Sequence, residues 1–257
     1  MAVSLKDITL SYGSRTLLDR VSADIPRASL TAFIGRNGTG KSSLLRVIAG
    51  LDPAADGEVR LCGRPLSDLG PGERAATVSF VATDKVRIAG LTCEELVALG
   101  RAPYTDWIGR LQESDRAAVR RALETVGMTG FARKPMETLS DGECQRAMIA
   151  RALAQDTPVI LLDEPTAFLD LPNRYALASL LRRLARDEGK CILFSTHDLD
   201  IALTLCDSVL LIDTPALHHL PAAEMAASGL IERLFQGGDT AFGDIPGCVL
   251  PGGRPRP

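Results

Sequence analysis

Residues 35–42 read Gly35-Arg36-Asn37-Gly38-Thr39-Gly40-Lys41-Ser42, and the spacing G-x-x-x-x-G-K-S decides the fold. Glycines let the backbone bend so that successive N–H groups point into one concavity. A lysine and a hydroxyl residue at the close of such a loop suit phosphate: Lys41 reaches the outer phosphates and the Ser42 hydroxyl can ligate Mg2+. With Gly at about 7% of residues, and roughly 6% Lys and 12% Ser plus Thr, chance gives the pattern in about one such chain per hundred. The flanks argue against a mere glycine turn. Leu30 to Ile34 is a short apolar run directly before the loop. Ser42 to Ala49 has helical spacing, with Leu44, Leu45, Val47 and Ile48 apolar and Gly50 as a stop. Strand, loop and helix in this order aim the positive end of a helix at an anion.

Outward from the loop, the beginning of the chain reads as β structure. Val3, Leu5, Ile8 and Leu10 are apolar among polar neighbours, a turn follows at Tyr12-Gly13-Ser14, and a second run spans Leu17 to Ile25. Asp56-Gly57 and Cys62-Gly63 bracket another short strand. Residues 84–155 are helix-rich: Glu94 to Leu99 and Ser114 to Val126 are amphipathic and meet Gly100 and Gly127, and Leu139-Ser140 opens a helix reaching Ala154. Strands at Val159 to Leu162, Cys191 to Ser195 and Val209 to Ile212 then alternate with helices at Pro172 to Asp187 and Leu199 to Leu205. Alternation on this spacing implies an α/β fold whose parallel sheet is covered on both faces. Gly247 to Pro257, rich in Gly, Pro and Arg, reads as a mobile tail.

Composition narrows the class. A chain of 257 residues suits one α/β domain with room for a subdomain. With 46% hydrophobic residues but only 4% aromatic, the core must be aliphatic. A net charge of -3 argues against a nucleic-acid binder held by bulk positive charge. Cysteines 62, 93, 144, 191, 206 and 248 form no C-x-x-C pair and read as reduced thiols of a cytosolic protein. His218-His219 suits a polar loop rather than a chelate. Lys6 and Asp7 interrupt any early apolar run, and no stretch approaches the ~18 apolar residues of a membrane span, so a membrane role needs a partner.

Two further strand ends carry chemistry. Val159 to Leu162 runs into Asp163-Glu164-Pro165, two carboxylates where ligands of open α/β sheets collect. On an extended segment they point differently, so that one can hold Mg2+ while the other faces an attacking water as general base. Cys191 to Ser195 ends in Thr196-His197-Asp198. Beside the loop strand, this end would place His197 near a γ-phosphate.

Together these motifs resemble the nucleotide-binding subunits of ABC transporters, over nearly the whole chain. The most specific segment is Leu139-Ser140-Asp141-Gly142-Glu143-Cys144-Gln145-Arg146, similar to the family signature L-S-G-G-Q-x-Q-R. The resemblance implies a P-loop NTPase core with a mainly parallel sheet, an N-terminal antiparallel β subdomain and an inserted helical subdomain. Residues 1–83 and 156–235 would form the core, 84–155 the helical part and 236–257 a tail. It assigns nucleotide contacts to Tyr12, stacking on adenine, and to Gly35, Arg36, Asn37, Gly38, Thr39, Gly40, Lys41, Ser42 and Ser43. Lys41, Glu164 and His197 become catalytic, and Ser42 and Asp163 metal ligands. Ser140, Asp141, Gly142 and Glu143 become a signature acting in trans, and Asp170 part of a loop touching a second subunit. Ser140-x-x-Glu143 also fits a helix capping box worth about 1 kcal/mol, and the two roles compete for one hydroxyl. Asp141 stands where the family has glycine. At Phe80-Val81-Ala82-Thr83 the family ends with Gln, so Thr83, whose hydroxyl can ligate Mg2+ though with a shorter reach, or Asp84 beside it, takes the position as a third metal ligand.

The implied function is ATP hydrolysis by a homodimer on the cytoplasmic face of a bacterial inner membrane. It would energise integral permease subunits and, indirectly, an extracytoplasmic substrate-binding protein, with ATP and Mg2+ as cofactors and no nucleic acid. Glu95 to Tyr104, Thr196 to Asp207 and Gly229 to Phe235 resemble importers for iron–siderophores, haem and vitamin B12, with iron–siderophore uptake favoured. Two alternatives stay open: a soluble ATP-gated interaction module without a permease, and a degenerate subunit that binds ATP without hydrolysing it.

Overall fold

The structure, a computed structural model, describes residues 1–83, 88–106 and 108–236. Asp84 and the tail from 237 onward lie outside the described residues.

The chain opens with an antiparallel pair, β1 (Val3–Tyr12) and β2 (Arg15–Ile25). Then come β3 (Ser29–Gly35), the loop, and α1 (Lys41–Ile48). After these follow β4 (Asp56–Leu61), β5 (Arg64–Pro65), α2 (Pro71–Thr77) and β6 (Val78–Val81). A helical stretch holds α3 (Cys93–Ala98), α4 (Glu113–Thr125) and α5 (Asp141–Ala154). The chain returns through β7 (Val159–Leu162), α6 (Leu171–Asp187), β8 (Cys191–Ser195), α7 (Leu199–Thr204), β9 (Ser208–Asp213) and β10 (Ala216–Pro221). Two short helices follow, α8 (Ala222–Ala227) and α9 (Leu230–Gln236).

Two sheets result. The smaller has order β2-β1-β4-β5 and is antiparallel. The larger has order β10-β9-β3-β8-β7-β6, parallel except at β10. The loop strand β3 lies inside it, with all seven residues buried, which is why Leu30 to Ile34 reads as a nearly continuous apolar run, broken only by Thr31. Its side chains divide between two cores. Leu30, Ala32 and Ile34 face the core shared with the helices α3 to α7. Phe33 faces the core that joins the two sheets. Helix α1 fills that second core with Leu44, Leu45, Val47 and Ile48, each contributing about 2 kcal/mol by burial. The helix that follows the loop is thereby fixed against both sheets.

The structure departs from the sequence expectations at particular places. Helix α2 and strand β10 carry too little apolar periodicity to stand out. His218 and His219 lie on β10 rather than in a loop, and His219 Nε2 meets Ser208 Oγ at 3.0 Å. Gly127, with φ +71°, does end α4. Gly100 does not end its helix: the chain runs on as a 3-10 turn from Leu99 to Tyr104. Its reason is closeness, since a Cβ at Gly100 would stand 2.2 Å from the Arg151 carbonyl oxygen of α5. Four of the five described cysteines are buried, and burial pushes the thiols of Cys93, Cys191 and Cys206 up to about 11, 12 and 12. Gly100→Ala should therefore destabilise the chain by about 3 kcal/mol. Urea unfolding measures this, and an unchanged midpoint contradicts the close-approach account.

Candidate functional site

The loop, the end of β7 and the end of β8 meet because β3, β8 and β7 are neighbours running parallel. Their C-terminal ends therefore open on one crevice. Gly40 stands at φ +101° as the N-cap of α1, a conformation that glycine adopts without strain, and offers no side-chain cap. Thr39 Oγ1 donates to the Arg36 carbonyl at 2.9 Å and braces the loop. Lys41 is 6% exposed. Its Nζ donates to the carbonyls of Gly35 at 2.9 Å and Arg36 at 3.2 Å. Burial holds its pKa below the usual lysine range, and the carboxylates of Glu164 and Asp163 only partly offset this. Desolvation makes the ammonium a strong attractor for an added anion.

Asp163 ends β7 and is also buried. Its Oδ1 accepts from Ser42 Oγ at 3.0 Å and from Ser195 Oγ at 2.6 Å. Ser195 Oγ in turn accepts the Glu164 N–H at 2.7 Å. Glu164 has φ +46°, so the carboxylates diverge through a left-handed turn and not through the alternation of an extended strand. Such a conformation is uncommon for a residue with a side chain and is held in place by its surroundings. It sends the Glu164 carboxylate to His197, whose Nε2 lies 2.9 Å from Oε1. The Thr196 N–H donates to Phe33 O at 3.0 Å, which fixes the histidine loop to the phosphate strand. Thr83 Oγ1 donates to the Asp163 backbone carbonyl at 3.1 Å, so its one proton braces the strand end. The pair Ser42 Oγ and Asp163 Oδ1 supplies hard oxygen donors, one of them charged, at the mouth of a phosphate loop. That donor set suits Mg2+, which is held by one or two carboxylates together with waters and phosphate oxygens.

A cavity of about 400 Å³ runs from the loop to Tyr12 and includes Lys41, Ser42, Ser43 and Glu164. Tyr12 closes one end and is 82% exposed, leaving a ring face available for stacking. Arg15 and Leu17 also line the cavity. They come from β2 because Tyr12 pairs with Arg15 across the hairpin. Nothing local in the sequence marks these two residues, and the one signal for Ser195 is its place at the end of a buried strand. Ser140, Asp141, Gly142 and Glu143 do not line this cavity. Ser140 caps α5 and Asp170 caps α6, where Asp170 Oδ1 accepts the Asn173 N–H at 3.1 Å.

The family described as ABC transporter matches residues 18–167. The chain is 35% identical, over 100% of its length and 97% of the relative's, to the achromobactin transport ATP-binding protein CbrD of Dickeya dadantii. It is 35% identical to the ferric enterobactin transport ATP-binding protein FepC of Escherichia coli, over 90% and 85% of the two chains. Among solved structures it is similar to the ATP-binding cassette MJ0796 in a dimeric post-hydrolysis state bound to ADP and Pi. That likeness has a TM-score of 0.76 at 28% identity, over 86% of this chain and 98% of that one.

Ser195→Ala removes a donor to Asp163 and leaves the Glu164 N–H without its acceptor. The expected result is a loss of about 1–3 kcal/mol in stability and about a hundredfold lower ATP turnover through misplacement of the carboxylates. Phosphate release and urea unfolding on the purified chain check both, and wild-type turnover would show that Ser195 does not position Glu164.

Proposed function

We infer the function from one premise: this chain belongs to the ABC transporter family, and it is an ATP-binding, ATP-hydrolysing subunit. The observation that carries the proposed mechanism is the chain of contacts Ser42–Asp163–Ser195–Glu164–His197 around the phosphate loop. Lys41 and the N–H groups at the start of α1 neutralise and orient the β- and γ-phosphates. Ser42 and Asp163 would hold Mg2+, which would supply positive charge against the charge that develops in the transition state. Glu164 takes a proton from the attacking water, and His197, anchored to Glu164, aligns the γ-phosphate. Tyr12 stacks on the base, and the remaining loop residues and Ser43 position the phosphates.

The second half of the site comes from another copy of the chain. Ser140 to Glu143 do not line the nucleotide cavity of their own chain, and they complete it across a head-to-tail pair, with Asp170 at the seam. The dimeric form of the MJ0796 relative supports this arrangement. The pair acts on permease subunits at the cytoplasmic face of the membrane, fed by an extracytoplasmic binding protein. The relatives named for achromobactin and ferric enterobactin support an iron–siderophore cargo.

Glu164→Gln should keep ATP binding and slow turnover by roughly 10²–10⁴-fold; near-normal phosphate release removes Glu164 as the base. Lys41→Ala should abolish tight nucleotide binding, measured by calorimetry. Capture of the chain from detergent-solubilised membranes should bring down a multi-span protein. Its persistent absence supports a soluble ATP-gated module instead.

A further inference from the structure

Two helices of this chain meet phosphate in the mechanism above, and their N-termini are finished in opposite ways. Helix α1 begins at Gly40, has no side-chain cap and carries no acidic residue in its first turn. Its leading N–H groups lack intrahelical partners and are available to a ligand. Helix α5 begins at Ser140 with a closed capping box and carries Asp141 and Glu143 in its first turn. The box converges on one atom. Glu143 Oε2 accepts the Ser140 N–H at 2.7 Å and the Ser140 hydroxyl at 2.8 Å. The return bond, from the Glu143 N–H to Ser140 Oγ, is longer at 3.3 Å.

A serine hydroxyl has one proton to donate. Here it goes to a carboxylate, and hydrogen bonds to ionised acceptors are about twice as strong as neutral ones. A γ-phosphate arriving from a second chain needs the same proton and the same N-terminal dipole, which the carboxylate already offsets. The backbone cannot yield instead. Leu139 is buried, the Cys144 N–H donates to Ser140 O at 2.8 Å, and a Cβ on Gly142 would lie 3.0 Å from Leu169 Cδ2. Any exchange falls on the Glu143 side chain, which has Lys134 and Arg146 near enough to favour its charge.

We propose that Glu143 is a positioning residue that holds the Ser140 hydroxyl back from the nucleotide of the opposing chain, and thereby sets the ATP concentration at which two chains close. The proposal rests on the trans role of Ser140 given above. It differs in sign from a purely structural role. If Glu143 only caps α5, Glu143→Gln, which keeps an acceptor oxygen but loses the charge, leaves closure unchanged or weaker. If Glu143 restrains Ser140, the same change makes closure easier.

The test uses the full chain carrying Glu164→Gln, so that ATP is not consumed, with dimer formation followed by sedimentation against MgATP. Adding Glu143→Gln should lower the half-maximal MgATP concentration about tenfold, and adding Ser140→Ala should prevent closure. An unchanged or raised midpoint for Glu143→Gln, with Ser140→Ala defective, overturns the restraint and leaves the trans site standing. Closure of Ser140→Ala at the parent's midpoint overturns the trans site, and the restraint with it. No closure of either Glu143 form at millimolar MgATP also overturns the restraint, because Glu143 is then not what limits closure.

Discussion

A buried carboxylate that must find donors organises this molecule. Asp163 sits at the end of β7, 8% exposed, where an unpaired charge would cost several kcal/mol. The two hydroxyls that answer it come from different parts of the chain, Ser42 at the start of α1 and Ser195 at the end of β8. Satisfying one charge therefore ties the phosphate loop to two strands. The parallel order β3-β8-β7 follows the same demand, since only neighbouring strands of one direction bring these ends together. The alternating core on the two faces of β3 fixes the register that makes the meeting accurate.

From that node the strain and the buried charge have a common purpose. Glu164 adopts a left-handed backbone conformation, and the Ser195 hydroxyl that steadies Asp163 also receives the Glu164 N–H. One side chain thus holds the carboxylate proposed to bind metal, Asp163, and the proposed base, Glu164, in fixed relation. Lys41 is kept below its usual pKa by desolvation while two loop carbonyls hold its ammonium. The loop is therefore pre-ordered around a cation whose burial is most fully compensated when phosphate is present. This is electrostatic preorganisation: the dipoles and charges are set before the reaction needs them.

Much of this was legible in the sequence, and the boundary of legibility is physical. The phosphate loop could be read because its chemistry is local, a run of glycines, a lysine and a serine between an apolar strand and a helix. Asp163, Glu164 and His197 could be read because each follows an apolar run at a strand end. Ser195 could not, since a serine closing a buried strand is chemically silent until Asp163 is beside it. Arg15 and Leu17 depend on hairpin register with Tyr12. Gly100 was legible as a helix stop but is a packing residue, because a glycine that permits close approach leaves the same letter as one that ends a helix. Strand β10, with its histidines, lacks the apolar alternation that marks a half-buried strand.

In the proposed head-to-tail pair, the unlike capping of α1 and α5 gives the two halves of the site an order of use. The N-terminus of α1 has no side-chain cap and is backed by the buried Lys41, so its own donors face an arriving nucleotide. The N-terminus of α5 is already satisfied by Ser140 and Glu143, with a second carboxylate at Asp141. In the proposed head-to-tail pair, nucleotide would settle first on the loop of one chain and only then compete for the serine of the other. A ligand shifts an equilibrium by no more than its differential affinity for the two states. For closure, that difference is a phosphate bond gained at Ser140 less a carboxylate bond lost there. Because both acceptors are anions drawing on one hydroxyl and one helix end, the gain and the loss oppose each other. On that proposal, the contest for one hydroxyl and one helix end leaves closure of the pair readily reversible.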